Sequence, residues 1–443
     1  MRGEPKPVAI LGAGLAGVTA AVTLRRRGIP VRLYEAGRQI AGLAASFKDE
    51  HGFANDFGAH FVTNRLAAAV GVGASCQDVR YYGESVLLRG KTYAYPFGLV
   101  RNPRFVLSAV AARAGKGRTT PRSVADYFRA TYGAALADEV AIPLVEAWSG
   151  APADALAPSV ASEKLQHGVL HSLALKLASR IGGRAVANGY SHEMPENRHV
   201  WHVYPTGGVS LLVQRLAAEL EGAIQLESPV EAIIVDSGRV AAVRVKGRDE
   251  EVSAVISTAP CNVLPKLVIG SDAVSHLGRF RFRPMVFLNL RLTGCGLLPD
   301  TVLWTPERHF PFFRITETTQ SMPWLAPPGK SLVTVDFGCQ TQDPMWTMAE
   351  DQLTELCLGH LVDIIPDVRR RLLGAKVLRT PIAYPVFLNE YEEDRRRLQD
   401  STGVPGLYSI GRNGEFAHIL MEDVYWRTLA RARAVARDLE RTA

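Results

Sequence analysis

The feature that most constrains the fold is a glycine cluster that joins an apolar strand pattern to a helical one. Val8–Leu11 has the character of a short buried strand, and Gly12, Gly14 and Gly17 follow it as the helical pattern begins. In this spacing the first glycine allows a tight turn, the second lets a pyrophosphate approach the backbone, and the third lets helix and strand pack closely. Backbone N–H groups and the helix dipole then hold the diphosphate. The pattern predicts a βαβ unit that binds a dinucleotide.

An acidic residue stands where such a unit needs one. Gly28 and Pro30 end the helical pattern, and Val31–Tyr34 is the next buried strand. Glu35 follows directly, 21 residues beyond Gly14, and a carboxylate at this position accepts hydrogen bonds from the adenosine ribose. A lone G-x-G-x-x-G is unspecific, but strand, glycines, helix, second strand and acid together are specific.

The length and charge of the chain limit its class. At 443 residues the chain is too long for one core, which predicts two or three domains. Lys and Arg exceed Asp and Glu by 51 to 44, a net charge of +7, which fits an anionic substrate and equally a solvated basic surface. Because the basic residues are dispersed and form no known binding motif, we expect no nucleic-acid partner.

The cysteines and the N-terminus bear on the cellular compartment. The five cysteines are scattered without a C-x-x-C pair, so we expect neither a disulfide framework nor a metal site. Arg2 and Lys6 before an apolar stretch resemble a signal peptide, but the glycine cluster interrupts that stretch. No apolar run is long enough to cross a bilayer. We therefore expect a soluble, cytoplasmic protein without a transmembrane segment.

The elements predicted along the rest of the chain are interleaved. The patterns predict, in order, helices over 101–185, a loop over 189–202, strands over 224–257, an antiparallel sheet over 283–334, a helix over Leu353–Leu373, a strand over Leu407–Ile410 and a helix over Asp423–Arg441. We therefore expect a discontinuous cofactor domain of residues 1–95, 195–278 and 378–443, a helical insertion of residues 96–194, and a substrate-binding sheet with helices over residues 279–377.

The residues after Glu35 separate FAD from NAD. Arg38 and Gly42 stand in a segment that resembles the extended FAD fingerprint E-x-x-x-x-x-G-G of the amine oxidase superfamily, with Ala41 in place of the first of its two glycines. The resemblance implies FAD, and Arg38 would offer its charge to the diphosphate. An ordinary surface arginine is the alternative.

Further segments extend the resemblance in chain order to the branch of flavoproteins that contains UDP-galactopyranose mutase and protoporphyrinogen-oxidase-like enzymes. These segments are Gly58-Ala59-His60, the stretch around Trp148 that ends at Pro158, Gly207-Gly208, the stretch from Pro311 to Glu317, the stretch from Ala383 to Val386, and Gly411-Arg412 through Met421 to Val424. The resemblance implies an α/β fold, with a Rossmann-like FAD-binding domain of the GR2 flavoprotein type and an interleaved helical and antiparallel-sheet substrate domain.

The resemblance and the residue types together imply site residues. The predicted cofactor residues are Gly12, Gly14, Gly17, Glu35, Arg38, Gly42, Gly58, Ala59, His60, Val230, Gly411, Arg412, Met421 and Val424. The predicted catalytic residues are His60, Arg314, Tyr384 and His418. Arg314 would recognise an anionic group with its planar fork. For each catalytic candidate a structural role stays open, and Trp148 is more typical of packing.

The substrate site departs from the mutase pattern. Ala417, His418 and Ile419 stand where the mutase has a tyrosine-rich stretch, and after Pro158 the nearest basic residue to its second phosphate-binding arginine is Lys164. The hairpin predicted over 227–246 is more similar to protoporphyrinogen oxidase or a desaturase. We therefore favour an FAD-dependent oxidoreductase over a nucleotide-sugar mutase without net redox change or a non-catalytic flavin-fold binding protein.

The favoured function also defines the expected partners. It predicts hydride transfer from a small polar or sugar-like metabolite to non-covalently bound FAD. For the substrate, the open alternatives are a sugar nucleotide and another anionic metabolite. For the assembly, a homodimer is an open alternative.

Overall fold

The computed structural model of the chain describes residues 5–58, 60–95, 97–114, 120–162 and 169–442. The strands are β1 (Val8–Leu11), β2 (Val31–Tyr34), β3 (Ser46–Lys48), β4 (Ala54–Asp56), β5 (Val62–Thr63), β6 (Cys76–Asp78), β7 (Glu84–Leu88), β8 (Lys91–Ala94), β9 (His202–Pro205), β10 (Ile224–Gln225), β11 (Val230–Asp236), β12 (Arg239–Val245), β13 (Arg248–Glu251), β14 (Ala254–Ser257), β15 (Val268–Ile269), β16 (Phe282–Thr293), β17 (Val302–Trp304), β18 (Arg314–Glu317), β19 (Lys330–Gly338), β20 (Leu372–Pro385) and β21 (Leu407–Ser409).

The helices follow the same chain order. They are α1 (Leu15–Arg25), α2 (Asn64–Val70), α3 (Phe97–Val100), α4 (Pro103–Ala114), α5 (Val124–Tyr132), α6 (Ala134–Leu136), α7 (Ile142–Ser149), α8 (Ser159–Ser162), α9 (Val169–Gly182), α10 (Ser210–Ala217), α11 (Leu264–Leu267), α12 (Thr318–Ser321), α13 (Pro344–Thr347), α14 (Glu350–Leu361), α15 (Val368–Arg371), α16 (Glu392–Asp400), α17 (Gly411–Gly414) and α18 (Met421–Thr442). Within the described ranges, no helix is both long and apolar enough to cross a membrane.

A five-stranded parallel sheet forms the centre of the cofactor half, which confirms the predicted α/β class. Its strand order is β10-β2-β1-β14-β21, so the first strand of the chain lies in the middle. All four residues of β1 are buried, as expected for a strand that is covered on both faces. The sheet joins segments from the start, the middle and the end of the chain.

The two faces of β1 pack against different layers. Val8 and Ile10 belong to the core that includes α1, α10 and α18, whereas Ala9 and Leu11 belong to the core that includes β11 and β12. This alternation follows from the two-residue period of a strand. The long hairpin predicted in this region is confirmed, because β11 and β12 pair antiparallel.

A second, seven-stranded sheet forms the other half of the molecule. Its order is β20-β16-β19-β18-β17-β7-β8, and every pairing is antiparallel except β17 with β7. The antiparallel sheet expected over 283–334 is therefore present. Because β7, β8 and most of β20 pair here, we propose that these strands belong to the substrate-side domain rather than to the cofactor domain.

The helix predicted over Leu353–Leu373 is wrong at its C-terminal end. Helix α14 ends at Leu361, and Leu372 opens β20 by pairing with Leu292 of β16. Pairing with β20 supplies hydrogen-bond partners for the backbone groups along one edge of β16. If the helix continued to Leu373, the end of that edge would lack these partners.

The βαβ turn depends on two glycines that touch through their backbones. Gly12 has φ +96°, in the left-handed region that favours glycine. A Cβ added at Gly17 would lie 1.8 Å from the carbonyl oxygen of Gly12. Any side chain at position 17 would therefore push α1 away from β1.

We expect Gly17→Ala to destabilise the protein by about 1–3 kcal/mol, because the added methyl overlaps backbone that cannot move alone. Gly359→Ala is the matched control, since Gly359 lies in α14 with open space where a Cβ would be added. That change should instead stabilise by about 0.5–1 kcal/mol, the usual gain for alanine in a helix. Denaturant unfolding measures both, and equal effects at the two positions would contradict the packing argument.

Candidate functional site

The loop between β1 and α1 presents unused backbone donors. Gly14 is the N-cap of α1 and provides no side-chain cap, so N–H groups of the first helical turn remain available to an anion. The neighbouring segment supports the loop, since the Ala41 N–H donates to the Ala13 carbonyl over 2.9 Å. Gly42 lies close behind, and a Cβ added to it would be 3.6 Å from the Gly14 Cα.

The Glu35 carboxylate lies at this loop. One oxygen accepts a hydrogen bond from the Ala13 N–H and the other from the Gly37 N–H, each over 2.8 Å. A carboxylate has about four acceptor positions. Glu35 can therefore hold the loop and still accept hydrogen bonds from two ribose hydroxyls.

Three other predicted cofactor residues differ in their placement. The Arg38 side chain is 90% exposed and pairs with Glu227 over 3.0 Å, which matches the surface alternative rather than the diphosphate role. Val230 is half-buried at the start of β11 and pairs with Val245. Ala59 lies outside the described residues.

The turn after β21 brings Arg412 to the middle of the molecule. Gly411 has φ +85°, and a Cβ added to it would lie only 2.6 Å from the Ala16 side chain of α1. The Arg412 guanidinium donates to the carbonyls of Ala383 over 2.8 Å and Ile419 over 3.3 Å. Among the described residues it forms no ion pair, and its buried Nε has no hydrogen-bond partner. Burial lowers the pKa of Arg412.

The start of α18 is anchored by two buried carboxylates that sequence reasoning did not identify. Glu422 accepts hydrogen bonds from Thr63 over 2.8 Å and Arg65 over 2.6 Å. Asp423 accepts one from the His192 N–H over 2.8 Å. These bonds fix the helix start, where the predicted cofactor residues Met421 and Val424 lie. The sequence signal was the acidic pair directly after Met421.

Arg314 is held by an acidic partner on the adjacent strand. Its Nε donates to Asp336 over 2.8 Å, and its Nη2 contacts the same carboxylate oxygen. Burial alone would lower the pKa of Arg314, but the charge of Asp336 outweighs it and raises that pKa. The guanidinium carbon lies 5.5 Å from the centre of the Trp304 ring. Nη1 remains available to a ligand.

Three rings pack together beside Arg412. Tyr384 and His418 stack with their centres 5.3 Å apart and their planes 17° apart. Trp148 meets both rings edge-on, at 5.5 Å from Tyr384 and 5.2 Å from His418. The Arg412 guanidinium carbon lies 5.2 Å from the Tyr384 ring centre. Trp148 therefore has a place in the site as well as in the core.

The charges of Arg412 and Arg314 both act on the pKa of His60. Burial lowers its pKa to about 4, and the positive charges of Arg412 and Arg314 act in the same direction. Its Nδ1 is 4.0 Å from an oxygen of Asp56. Burial raises the pKa of that carboxyl to about 6. The ring of His60 is therefore neutral at pH 7.

The left-handed turn at Gly58 brings His60 close to Arg314. Gly58 has φ +80°, and a Cβ added to it would lie 3.1 Å from the Phe287 ring and 3.5 Å from Arg314 Nη2. The four predicted catalytic residues and Arg412 are thus assembled in one region, although they come from distant parts of the sequence. Sequence reasoning missed Asp336, whose only signal was a carboxylate in an apolar strand.

Comparison with known proteins points to a flavoenzyme family. The model of the family described as flavin containing amine oxidoreductase matches residues 114–435. A second model, described as an NAD(P)-binding Rossmann-like domain, matches residues 10–68. The first match covers well over half of the chain.

Solved structures share the fold over almost the whole chain. A reduced UDP-galactopyranose mutase superposes with a TM-score of 0.80 at 18% identity, covering 97% of this chain and 93% of the mutase. Cyclohexylamine oxidase from Brevibacterium oxydans gives a TM-score of 0.73 at 15% identity, covering 98% and 100%. At these identities the likeness concerns the fold alone.

Curated proteins match only over short segments. Carotenoid phi-ring synthase from Chlorobaculum tepidum is 34% identical over 79 residues, which cover 16% of this chain. Hydroxysqualene dehydroxylase from Sinorhizobium fredii is 51% identical over 45 residues, which cover 10% of this chain. The matched segments span only 12% of the synthase and 11% of the dehydroxylase. They carry no inference about a shared substrate.

The lowered pKa of His60 makes stability depend on pH in a defined direction. An unfolded histidine with its ordinary pKa of 6.5 binds a proton that native His60, at about 4, does not bind. This penalty is absent at high pH and grows as pH falls from about 6.5 towards 4, reaching about 2 kcal/mol near pH 5. His60→Gln removes it, so the variant should lose about 2 kcal/mol less stability than the parent between pH 8 and about pH 5.

Denaturant unfolding at the two pH values measures this difference. His202→Gln is the matched comparison, because burial also lowers the pKa of His202 to about 4 without the two arginines nearby. Parallel pH profiles of the parent and His60→Gln would contradict the neutral assignment.

Proposed function

Because the chain belongs to the flavin containing amine oxidoreductase family and is a flavin-dependent oxidoreductase, we propose that its cofactor is non-covalently bound FAD. We further propose that its substrate is a small polar molecule with an anionic group. The observation that carries the substrate proposal is the meeting of Arg314, neutral His60 and Tyr384 in one region, with Arg412 beside them.

The residues of the cofactor half fit FAD. The free donors at the start of α1 suit a diphosphate, and Glu35 retains acceptor positions for the ribose. Arg412 brings a positive charge without a carboxylate partner among the described residues, which fits an anionic group nearby. Bound FAD would supply the acceptor for a hydride.

On the substrate side, one arginine can bind an anionic group and two aromatic rings provide apolar surface. Arg314 uses Nε and Nη2 on Asp336 and leaves Nη1 for a carboxylate or phosphate of the substrate. Asp336 keeps the guanidinium oriented even without a ligand. The rings of Trp148 and Tyr384 exclude water on one side.

The neutral imidazole of His60 suits hydrogen bonding more than proton storage. With a pKa of about 4, His60 is a weak base near pH 7, so it orients a substrate hydroxyl or amine by accepting its hydrogen bond. His418, stacked on Tyr384, is the second candidate for contact with the reacting group. These roles rest on the geometry of the site, which is formed by residues from four segments that are distant in sequence.

A nucleotide-sugar mutase remains the second candidate function. The mutase fold covers 97% of this chain, and Arg314 and Tyr384 occupy one region as the resemblance implies. Ala417 and Ile419 offer no hydroxyl beside Tyr384, whereas His418 does offer a ring nitrogen. This difference favours the oxidoreductase.

The first test is the absorption spectrum of the purified protein before and after heat release of cofactor. We expect bands near about 375 and 450 nm that move completely into an FAD-sized fraction. Anaerobic addition of an anionic substrate should then bleach the bands, with one equivalent of substrate oxidised to product for each flavin reduced. Conversion of a sugar nucleotide by dithionite-reduced enzyme, with the flavin still reduced after turnover, would instead establish the mutase, and a protein that takes up no FAD would refute both proposals.

A pair of arginine variants tests which one holds the cofactor. We expect Arg412→Met to weaken FAD binding by roughly tenfold to a hundredfold, because it removes a charge-assisted contact in a buried place. Arg38→Met is the matched control, since Arg38 is exposed and pairs with Glu227, and it should change the affinity by less than about threefold. Titration of apoprotein with FAD, followed by flavin fluorescence, measures both. Equal losses would show that Arg38 also reaches the diphosphate.

A further inference from the structure

A buried arginine outside the proposed catalytic region has no hydrogen-bond or ion-pair partner among the residues that the structure describes. Arg283, near the start of β16, is 9% exposed. Among residues 5–58, 60–95, 97–114, 120–162 and 169–442, no side chain or carbonyl forms a hydrogen bond or an ion pair with its guanidinium, and its Nε is fully buried. Buried charges in proteins are normally paired. An isolated one indicates that a ligand supplies the counter-charge.

Two glycines leave the space that the guanidinium occupies. A Cβ added to Gly150, which has φ +70°, would lie 2.4 Å from Nη1 of Arg283. One added to Gly338 would lie 3.0 Å from Nη2 and 2.5 Å from the Ala147 carbonyl oxygen. Larger residues at either position would displace the arginine. Arg283 is therefore held in a defined place by backbone and not by an acid.

The electrostatic surroundings do not compensate the charge. Burial lowers the pKa of Arg283, whereas Cys339 and Asp343 act in the other direction. The Asp343 carboxylate accepts the Gln340 N–H over 2.6 Å and forms no ion pair with Arg283 among the described residues. Since an arginine keeps its proton at all physiological pH values, the charge persists and must be met by an anion.

The guanidinium opens into a small cavity. Its volume is about 140 Å³, enough for a group of a few non-hydrogen atoms. Two other charged residues line the cavity: Arg308 pairs with Glu146 over 3.1 Å, and one carboxylate oxygen of Glu307 accepts the Arg89 N–H over 3.1 Å. The remaining lining is largely apolar and includes Phe310, Phe312, Phe313, Pro143 and Pro306.

These features define the ligand. A planar guanidinium matches a carboxylate through two parallel hydrogen bonds, and the phenylalanine and proline walls suit a short hydrocarbon tail. The cavity contains none of the residues proposed for catalysis. We propose that the Arg283 cavity is a binding site for a small aliphatic monocarboxylate, separate from the proposed substrate site.

The site is placed to influence the catalytic region. Arg283 is the register partner of Tyr384 between β16 and β20, and Ala147 and Gly150 flank Trp148 at the end of α7. Phe313 directly precedes Arg314. A carboxylate in the cavity would therefore stabilise the same segments that carry these three side chains.

The test is thermal unfolding of the flavin-loaded protein with sodium acetate, against sodium chloride at equal ionic strength. We expect a saturable rise in Tm with acetate. Arg283→Met should weaken the acetate effect at least about tenfold, as expected for the loss of one charge-assisted pair. Arg369→Gln should retain it, because Arg369 is exposed, pairs with Glu355 over 2.7 Å and does not line the cavity.

The stability of the variants without acetate gives an independent readout. Arg283→Met should unfold at the same Tm as the parent or higher, because it removes an uncompensated buried charge. Arg291→Met is the matched control on the same strand, and it should lower Tm because it leaves Asp49 without its partner at 3.1 Å. A Tm loss for Arg283→Met equal to that of Arg291→Met, an acetate effect that survives in Arg283→Met, or saturable stabilisation by phosphate alone would overturn the proposal.

Discussion

The backbone contact between Gly12 and Gly17 is the constraint on which the rest of the molecule depends. It lets α1 lie directly on β1, in the middle of the parallel sheet, so closely that a Cβ added at Gly17 would be only 1.8 Å from the Gly12 oxygen. Because α1 is fixed there, Gly411 can pack against Ala16 and bring the last strand to the same point. Segments from both ends of the chain therefore meet at the start of one helix.

Three arginines have different surroundings, and each environment indicates a different role. Arg314 has a carboxylate partner that binds its Nε and Nη2, so its orientation is fixed in the free protein and Nη1 can contact a ligand. Arg412 has two carbonyls and a tyrosine ring but no acid among the described residues. Arg283 lies in the space that two glycines leave and has no ion pair among the described residues. Since an unpaired buried charge costs several kcal/mol, the last two environments fit ligand binding better than structural support.

Burial sets the protonation state of an acid and a base near these arginines, and the arginine charges add to its effect on the base. Burial lowers the pKa of His60 to about 4 and raises that of Asp56 to about 6. Burial, together with the charges of Arg412 and Arg314, keeps His60 neutral, while a hydroxyl hydrogen bond from Tyr204 favours the ionised form of Asp56. A neutral ring in a positively charged region is suited to an anionic substrate, because it adds no further charge.

What the sequence determined by itself were the features that depend on neighbours along the chain. The glycine spacing, the strand before it and Glu35 after it predicted the βαβ unit, because such a unit is formed by residues that are close along the chain. Only the tertiary structure decided which distant groups meet. It paired Arg38 with Glu227 and Arg314 with Asp336, joined Leu372 to β16, and left Arg283 without an acid among the residues that the structure describes. Those outcomes depend on strand order and packing across the fold, and no periodicity along the chain records them.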